Sequence, residues 1–276
     1  MIETKEKEYQ GQKFYDPVRP FRKHRNHNIL SRMSKAILKL FTKQPRIIYS
    51  EPIVDEPVLY LSNHATRYSP TMMYVYMPRN KRLWTLSSLL YTKTFSNHMM
   101  FYWYPNVRGI MRIIYRIMTS FLSLIGPYVY RSMESIPVYR MSTRLKETYE
   151  KSIETLLEGK DIAIFPESRE VSTEYKYTNN FQNGFYRFAE TYYVKTGKCI
   201  LTYPVYCCRE LNTVLVGKPY QYNPKINMKE QSLIVIKYIQ DSIEELAKSL
   251  PPHKIEPYHN QIKDMEYLNN KYKGIF

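Results

Sequence analysis

Acidic side chains are scarce in this chain of 276 residues: 25 Asp and Glu stand against 41 Lys and Arg, a formal net charge of +16. That imbalance implies an anionic partner, whether nucleic acid, an anionic membrane surface or a phosphorylated substrate. Cysteine is nearly absent too. The three present, Cys199, Cys207 and Cys208, form no CxxC pair and have no metal-ligand spacing. Their odd number and spacing argue against a disulfide framework and against a zinc site. Strand-like surroundings predict buried thiols in a reducing compartment.

No uncharged apolar run reaches the roughly 18 residues of an ordinary membrane-spanning helix, and none is predicted. Residues 1–8 are charged and lack the apolar centre of a signal peptide, so the expected location is cytoplasmic, peripheral on the inner face of the membrane. Internal repeats and long low-complexity linkers are missing. The simplest division is a basic flexible arm over residues 1–27 and a single α/β domain over 28–276. No RNP, helix-turn-helix or zinc-finger pattern occurs, so nucleic acid is not an expected partner.

What the chain does hold is 43 % hydrophobic residues, enough to bury a core, and 28 tyrosines. Tyrosine suits a membrane–water interface, where one end is apolar and the other wet. It also stacks on bases, and a low-GC genome would enrich it with Lys, Ile and Asn, so composition alone does not choose the partner. Two segments bear on the choice. Ile29, Leu30, Met33, Ile37, Leu38, Leu40 and Phe41 recur at helical spacing with Arg32, Lys35, Lys39 and Lys43 between them, a basic amphipathic helix. Residues 110–130 are mostly apolar with Arg112 and Arg116 one turn apart. They read as a helix in the membrane interface or in the core.

Strands and helices alternate along the remainder. Residues 58–62, 82–86, 136–139, 161–165, 200–206 and 213–216 have strand character. Between them, helical patterns run from Pro70, over 88–100, from a Ser142 cap to Leu157, from Phe181 to a stop at Gly197, and over 230–250. The predicted class is α/β, a mixed and mostly parallel sheet flanked by helices, with an N-terminal amphipathic helical extension. In such sheets, ligands sit beyond the carboxyl ends of the strands.

Four blocks occur in one order: Ser62-Asn63-His64 with Ser69 five residues after the histidine, then Ile136-Pro137-Val138-Tyr139-Arg140, then Ile164-Phe165-Pro166-Glu167-Ser168-Arg169, then Leu201-Thr202-Tyr203-Pro204-Val205. In this order they resemble the glycerophosphate and lysophosphatidate acyltransferase superfamily, with its NHx4D, arginine-ended, FPEGTRS and VPV-like blocks. The resemblance covers roughly residues 55–220. It implies acyl transfer from a thioester donor, acyl-CoA or acyl carrier protein, to a lysophospholipid or glycerol-phosphate hydroxyl, with no cofactor. His64 is then the general base and Ser69 its neighbour at the motif carboxylate position. Arg140 and Arg169 would clamp phosphate, Glu167 would orient the acceptor or an arginine, Ser168 falls in the same substrate-binding block, and Asn63 joins this set although its natural task is to hold the turn.

Ser69 is the departure that matters. Serine can fix an imidazole tautomer but cannot stabilise the imidazolium that forms. In the protease template, neutralising the orienting aspartate lowers turnover by about 10⁴. Asp161 and Glu167 are the block-associated carboxylates that could substitute. The alternative to an active enzyme is a family member that binds anionic lipid without turnover.

Overall fold

The structure, a computed structural model, describes residues 4–9, 12–17, 27–100, 104, 106–139, 144–168 and 172–255. Strands β1 (Thr4–Tyr9) and β2 (Gln12–Pro17) lead to helix α1 (His27–Leu40), then β3 (Arg46–Tyr49) and β4 (Leu59–Ser62). Next come α2 (Tyr68–Val75), β5 (Lys81–Leu86), α3 (Thr92–His98) and the long α4 (Gly109–Ser132). After β6 (Ile136–Val138), α5 (Leu145–Leu157) and β7 (Asp161–Ile164), the chain forms α6 (Arg187–Thr196) and β8 (Leu201–Cys208). It continues through β9 (Thr213–Val216), β10 (Tyr220–Gln221) and α7 (Met228–Lys248). The class is α/β, with a mixed, mostly parallel sheet flanked by helices. The contacts of the described residues gather into two compact units, one within residues 38–82 and 150–255, the other within residues 4–37 and 83–149.

In the first unit the strands run in the order β3-β9-β8-β4-β7. β4 lies parallel to β7, with Leu59 opposite Ile162 and Leu61 opposite Ile164, and parallel to β8, with Leu59 opposite Thr202. β3 is parallel to β9, while β9 and β10 are antiparallel to β8. Every residue of β4 and β7 is buried. That explains their unbroken apolar runs, because a parallel strand covered on both faces has no polar side to alternate. Helix α7 packs along β8 through Val235, Ile239, Ile243 and Ala247, all fully buried and four residues apart. Its start is fixed by Asn227, whose side chain accepts the Glu230 N–H and donates to the Glu230 carboxylate, a reciprocal cap.

One boundary differs from the sequence reading. Phe181 and Phe185 precede α6 instead of starting it, and Phe181 forms an isolated antiparallel bridge with Glu167. The helical stop at Gly197 is found, with φ of 70° and its N–H bonded to the Tyr193 carbonyl. Ser142, the expected cap of α5, lies outside the described residues.

In the second unit β1 and β2 form an antiparallel ladder, within the segment expected as a flexible arm. β5 and β6 are parallel, with Trp84 opposite Ile136 and Leu86 opposite Val138. α4 rests on α3 through small side chains. Thr119, Ser123 and Pro127 are buried, Thr119 Oγ1 lies 2.9 Å from Ser96 Oγ, and Arg131 Nε donates to the Leu90 carbonyl at 2.6 Å. Its large apolar side chains face outward: Ile110 is 71 % exposed, Phe121 70 % and Ile125 66 %. The core placement entertained for this segment is therefore overturned. By length and composition alone, α4 is long and apolar enough to cross a membrane. The uncharged-run criterion misses it because Arg112 and Arg116 interrupt it. α1 repeats the pattern, with Ile29, Met33, Ile37 and Leu40 all exposed.

Gly126 packs closely on α3, since a Cβ there would stand 2.3 Å from the Phe95 ring. Alanine gains about 1 kcal/mol of helix propensity over glycine, while overpacking costs about 1–3 kcal/mol. Gly126→Ala is expected to lower stability by about 1 kcal/mol in denaturant melts, against the propensity trend.

Candidate active site

Three segments of the first unit build the site: the turn between β4 and α2, the segment that follows β7, and the end of β8. As β4 leaves the sheet, Asn63 turns its amide to β8. Its Oδ1 accepts the Cys207 N–H at 2.8 Å and its Nδ2 donates to the Cys207 carbonyl at 3.2 Å, both buried. This is a ladder rung made by a side chain, and it extends the β4–β8 pairing one residue past Ser62. Asn63 is thus committed to the scaffold.

His64 follows, half-buried. Its carbonyl accepts the Thr66 N–H at 2.7 Å, and its own N–H donates to Glu167 Oε2 at 3.0 Å. The tight turn puts Thr66 at φ 51°, the left-handed region that a β-branched residue rarely occupies. Backbone strain of this kind costs about 1–3 kcal/mol and persists only where surrounding bonds enforce it. Here the Glu167 carboxylate on one side and the Ala65 N–H to Ser69 Oγ bond, 3.0 Å, on the other provide that enforcement. The imidazole packs edge-on against Phe165, with ring centroids 5.3 Å apart.

Ser69 is completely buried. Its hydroxyl takes the Ala65 N–H and engages the Cys207 thiol, so it closes the turn from beneath and does not orient the imidazole. Burial pushes the Cys207 thiol up to about 11, which keeps it protonated and unreactive near neutral pH. Cys207 and Cys208 are buried free thiols, as their strand setting predicted, while Cys199 is partly exposed.

Glu167 is the buried hub. Besides the His64 N–H, its carboxylate accepts Thr178 Oγ1 at 2.9 Å and the Asn179 N–H at 3.2 Å. Backbone bonds of Ser168 N–H to the Asn180 carbonyl and Gln182 N–H to the Pro166 carbonyl hold the two passes of chain side by side. Gln240 of α7 donates to the Asn179 carbonyl at 2.8 Å, tying the far pass to the helix. Burial raises the Glu167 carboxyl from 4.5 to about 7, against the lowering pull of its three donors.

Asp161, the other candidate carboxylate, opens β7 at the opposite end of the sheet. There it pairs with Arg79 at 3.0 Å and accepts the Val58 N–H at 3.1 Å. It is structural. Ser168 is buried beside Glu167, while Arg140 and Arg169 lie outside the described residues. The sequence reading missed Thr178, Asn179 and the Cys207 backbone. Their contribution is long-range and carries no local signature. Among the described residues, no group of three or more His, Cys, Asp or Glu side chains could hold a metal ion.

No family model matches the chain, and no curated protein matches it in sequence. Among solved structures it is similar to the crystal structure of the 1-acyl-sn-glycerophosphate (LPA) acyltransferase PlsC from Thermotoga maritima. The identity is 14 % and the TM-score 0.42, over 82 % of this chain and 81 % of that one. Likeness at that level leaves the reaction of this chain to be argued from its own residues.

The raised carboxyl gives a pH test. Because the folded value lies above the unfolded one, Glu167 favours the folded state fully below about 4.5, and that contribution is lost as pH rises through about 7. The span corresponds to roughly 3 kcal/mol. Glu167→Gln is expected to flatten the loss of stability between pH 4.5 and 7 in urea titrations, beside a uniform cost of about 1–2 kcal/mol from the mismatched amide.

Proposed function

We propose that this protein is an acyltransferase that moves a fatty acyl group from a thioester to the hydroxyl of a phosphorylated, glycerol-type lipid at a membrane surface. The observation that carries the reading is His64 itself, a half-buried imidazole at the carboxyl end of interior strand β4 on a backbone fixed from both sides. The ordered blocks read from the sequence support it, as do the net charge of +16 and the apolar faces of α1 and α4.

In this reading His64 accepts the proton of the acceptor hydroxyl as its oxygen attacks the thioester carbonyl. The tetrahedral centre collapses, the C–S bond breaks, and the thiol of acyl-CoA or acyl carrier protein departs with a proton. Arg140 and Arg169 are the phosphate clamps that the resemblance implies. No cofactor takes part, because the thioester already carries the activation.

The imidazolium needs a counter-charge that Ser69 does not supply. Glu167, bonded to the His64 N–H, is the candidate. A carboxylate one hydrogen bond from a histidine N–H stands roughly 6 Å from that histidine's ring, where opposite charges attract by about 3 kcal/mol at an effective dielectric near 20. That is about two powers of ten in rate, against the roughly four powers that loss of an orienting aspartate removes. A slow enzyme is the expected result, active where Glu167 is ionised. A second reading, lipid binding without turnover, is favoured by the complete burial of Ser69 and its engagement with Ala65 and Cys207.

Purified protein with liposomes, lysophosphatidate and acyl-CoA or acyl carrier protein is expected to release free thiol slowly. His64→Ala should lower that release by about 10²–10⁴, and activity unchanged in this variant overturns the mechanism. Ser69→Asp is expected to raise the rate about tenfold or more, by returning a carboxylate to the turn. An inert wild type that Ser69→Asp awakens establishes the second reading.

A further inference from the structure

We infer that α4 lies in the plane of an anionic membrane, sunk into one leaflet along its outer face, and does not cross the bilayer. The inference deepens the membrane part of the proposed function and rests on it. At about 1.5 Å per residue, its 24 residues span about 36 Å, enough for a hydrocarbon layer of about 30 Å, so length does not decide.

The two sides of the helix decide. Arg112, Arg116, Thr119, Ser123 and Pro127 follow one another at steps of four, three, four and four residues, which is one side of a helix. From Thr119 onward this side is fastened to α3, with Thr119 fully buried against Ser96 and Gly126 against Phe95. The opposite side carries Ile110, Ile114, Ile117, Phe121 and Ile125, between 51 % and 71 % exposed. A soluble helix buries its large apolar side chains and exposes its small polar ones. α4 does the reverse.

A helix that crosses alone offers lipid an apolar surface all round. α4 cannot, because crossing would carry α3, with its exposed Lys93 and its hydroxyl side chains, into the hydrocarbon. Lying flat satisfies both sides. The apolar row enters the acyl boundary, and Arg112 and Arg116, exposed and on the side away from it, reach up to phosphates. A protein partner fits less well, since protein interfaces carry about one hydrogen bond per 100–200 Å² and the outer row presents only aliphatic, thioether and phenyl groups before Tyr128. The excess of positive charge selects anionic lipid over neutral lipid.

The test uses the full chain and sucrose-loaded vesicles of phosphatidylcholine with about one third phosphatidylglycerol, without turnover. Ile117→Glu with Phe121→Glu is expected to lower vesicle partitioning at least tenfold while circular dichroism stays unchanged. Val194→Glu, at an exposed site on α6, should leave partitioning intact. Arg112→Ala with Arg116→Ala should weaken binding to these vesicles and not the weaker binding to pure phosphatidylcholine. Fluorophores placed singly at positions 110, 117 and 125 on a Cys199→Ser background should report one shallow depth with brominated lipids.

Depths that run from one interface through the centre towards the other overturn the inference in favour of a crossing helix. Unchanged partitioning in the double glutamate variant, together with dissociation of a dimer in solution, overturns it in favour of a second copy. A protein that binds as expected yet transfers no acyl group leaves the inference standing and removes the enzymatic reading. One that is active on water-soluble substrates and never binds vesicles removes the inference alone.

Discussion

The Glu167 carboxylate is the constraint on which the candidate site depends. It accepts three hydrogen bonds from two separate stretches of chain, the His64 N–H on one side and Thr178 with Asn179 on the other. Without an acceptor there, two buried backbone N–H groups would lose their partner, at about 1–3 kcal/mol each. The turn would then lose one of the two bonds that hold Thr66 at positive φ. Full burial of the carboxylate makes its ionisation costly, so folding and the charged form pull in opposite directions. Tension of that kind is common where a fold keeps a charge for chemistry at the expense of stability.

The same residues show what a sequence can and cannot reveal. β4 and β7 were legible because interior parallel strands are apolar throughout, and His64 and Glu167 because both follow such strands directly. The task of each polar side chain was not. Asn63 bonds across to Cys207, 144 residues away, and Glu167 bonds back to His64, 103 residues away. Neither pairing leaves a local trace. Asp161 and Glu167 are close in sequence and looked equivalent as carboxylates. Strand β7 separates them by its whole length, which places Asp161 with Arg79 at one end and Glu167 with His64 at the other.

α4 was legible in extent and misleading in orientation. Its periodicity is that of a core helix, and only the packing shows which side is inward. Thr119, Ser123 and Gly126 admit the close approach of α3, as small residues do between helices, so the bulky face is left outside. The exposed rows on α1 and α4 far exceed the scattered apolar residues normal on a protein surface.

Ser69 takes on a different meaning in this setting. Placed at the motif carboxylate position, it reads as a missing part of a catalytic pair. In the fold it is a buried hydroxyl that accepts the Ala65 N–H and meets the Cys207 thiol, and both partners are neutral. A carboxylate at that depth would carry a desolvation penalty of several kcal/mol unless an imidazolium stood beside it. Serine removes that penalty from the resting protein, and the Glu167 carboxylate bonds the His64 N–H. The carboxylate that meets His64 bonds its backbone and not its ring. At that position its field at the turn follows the ionisation of Glu167 near pH 7.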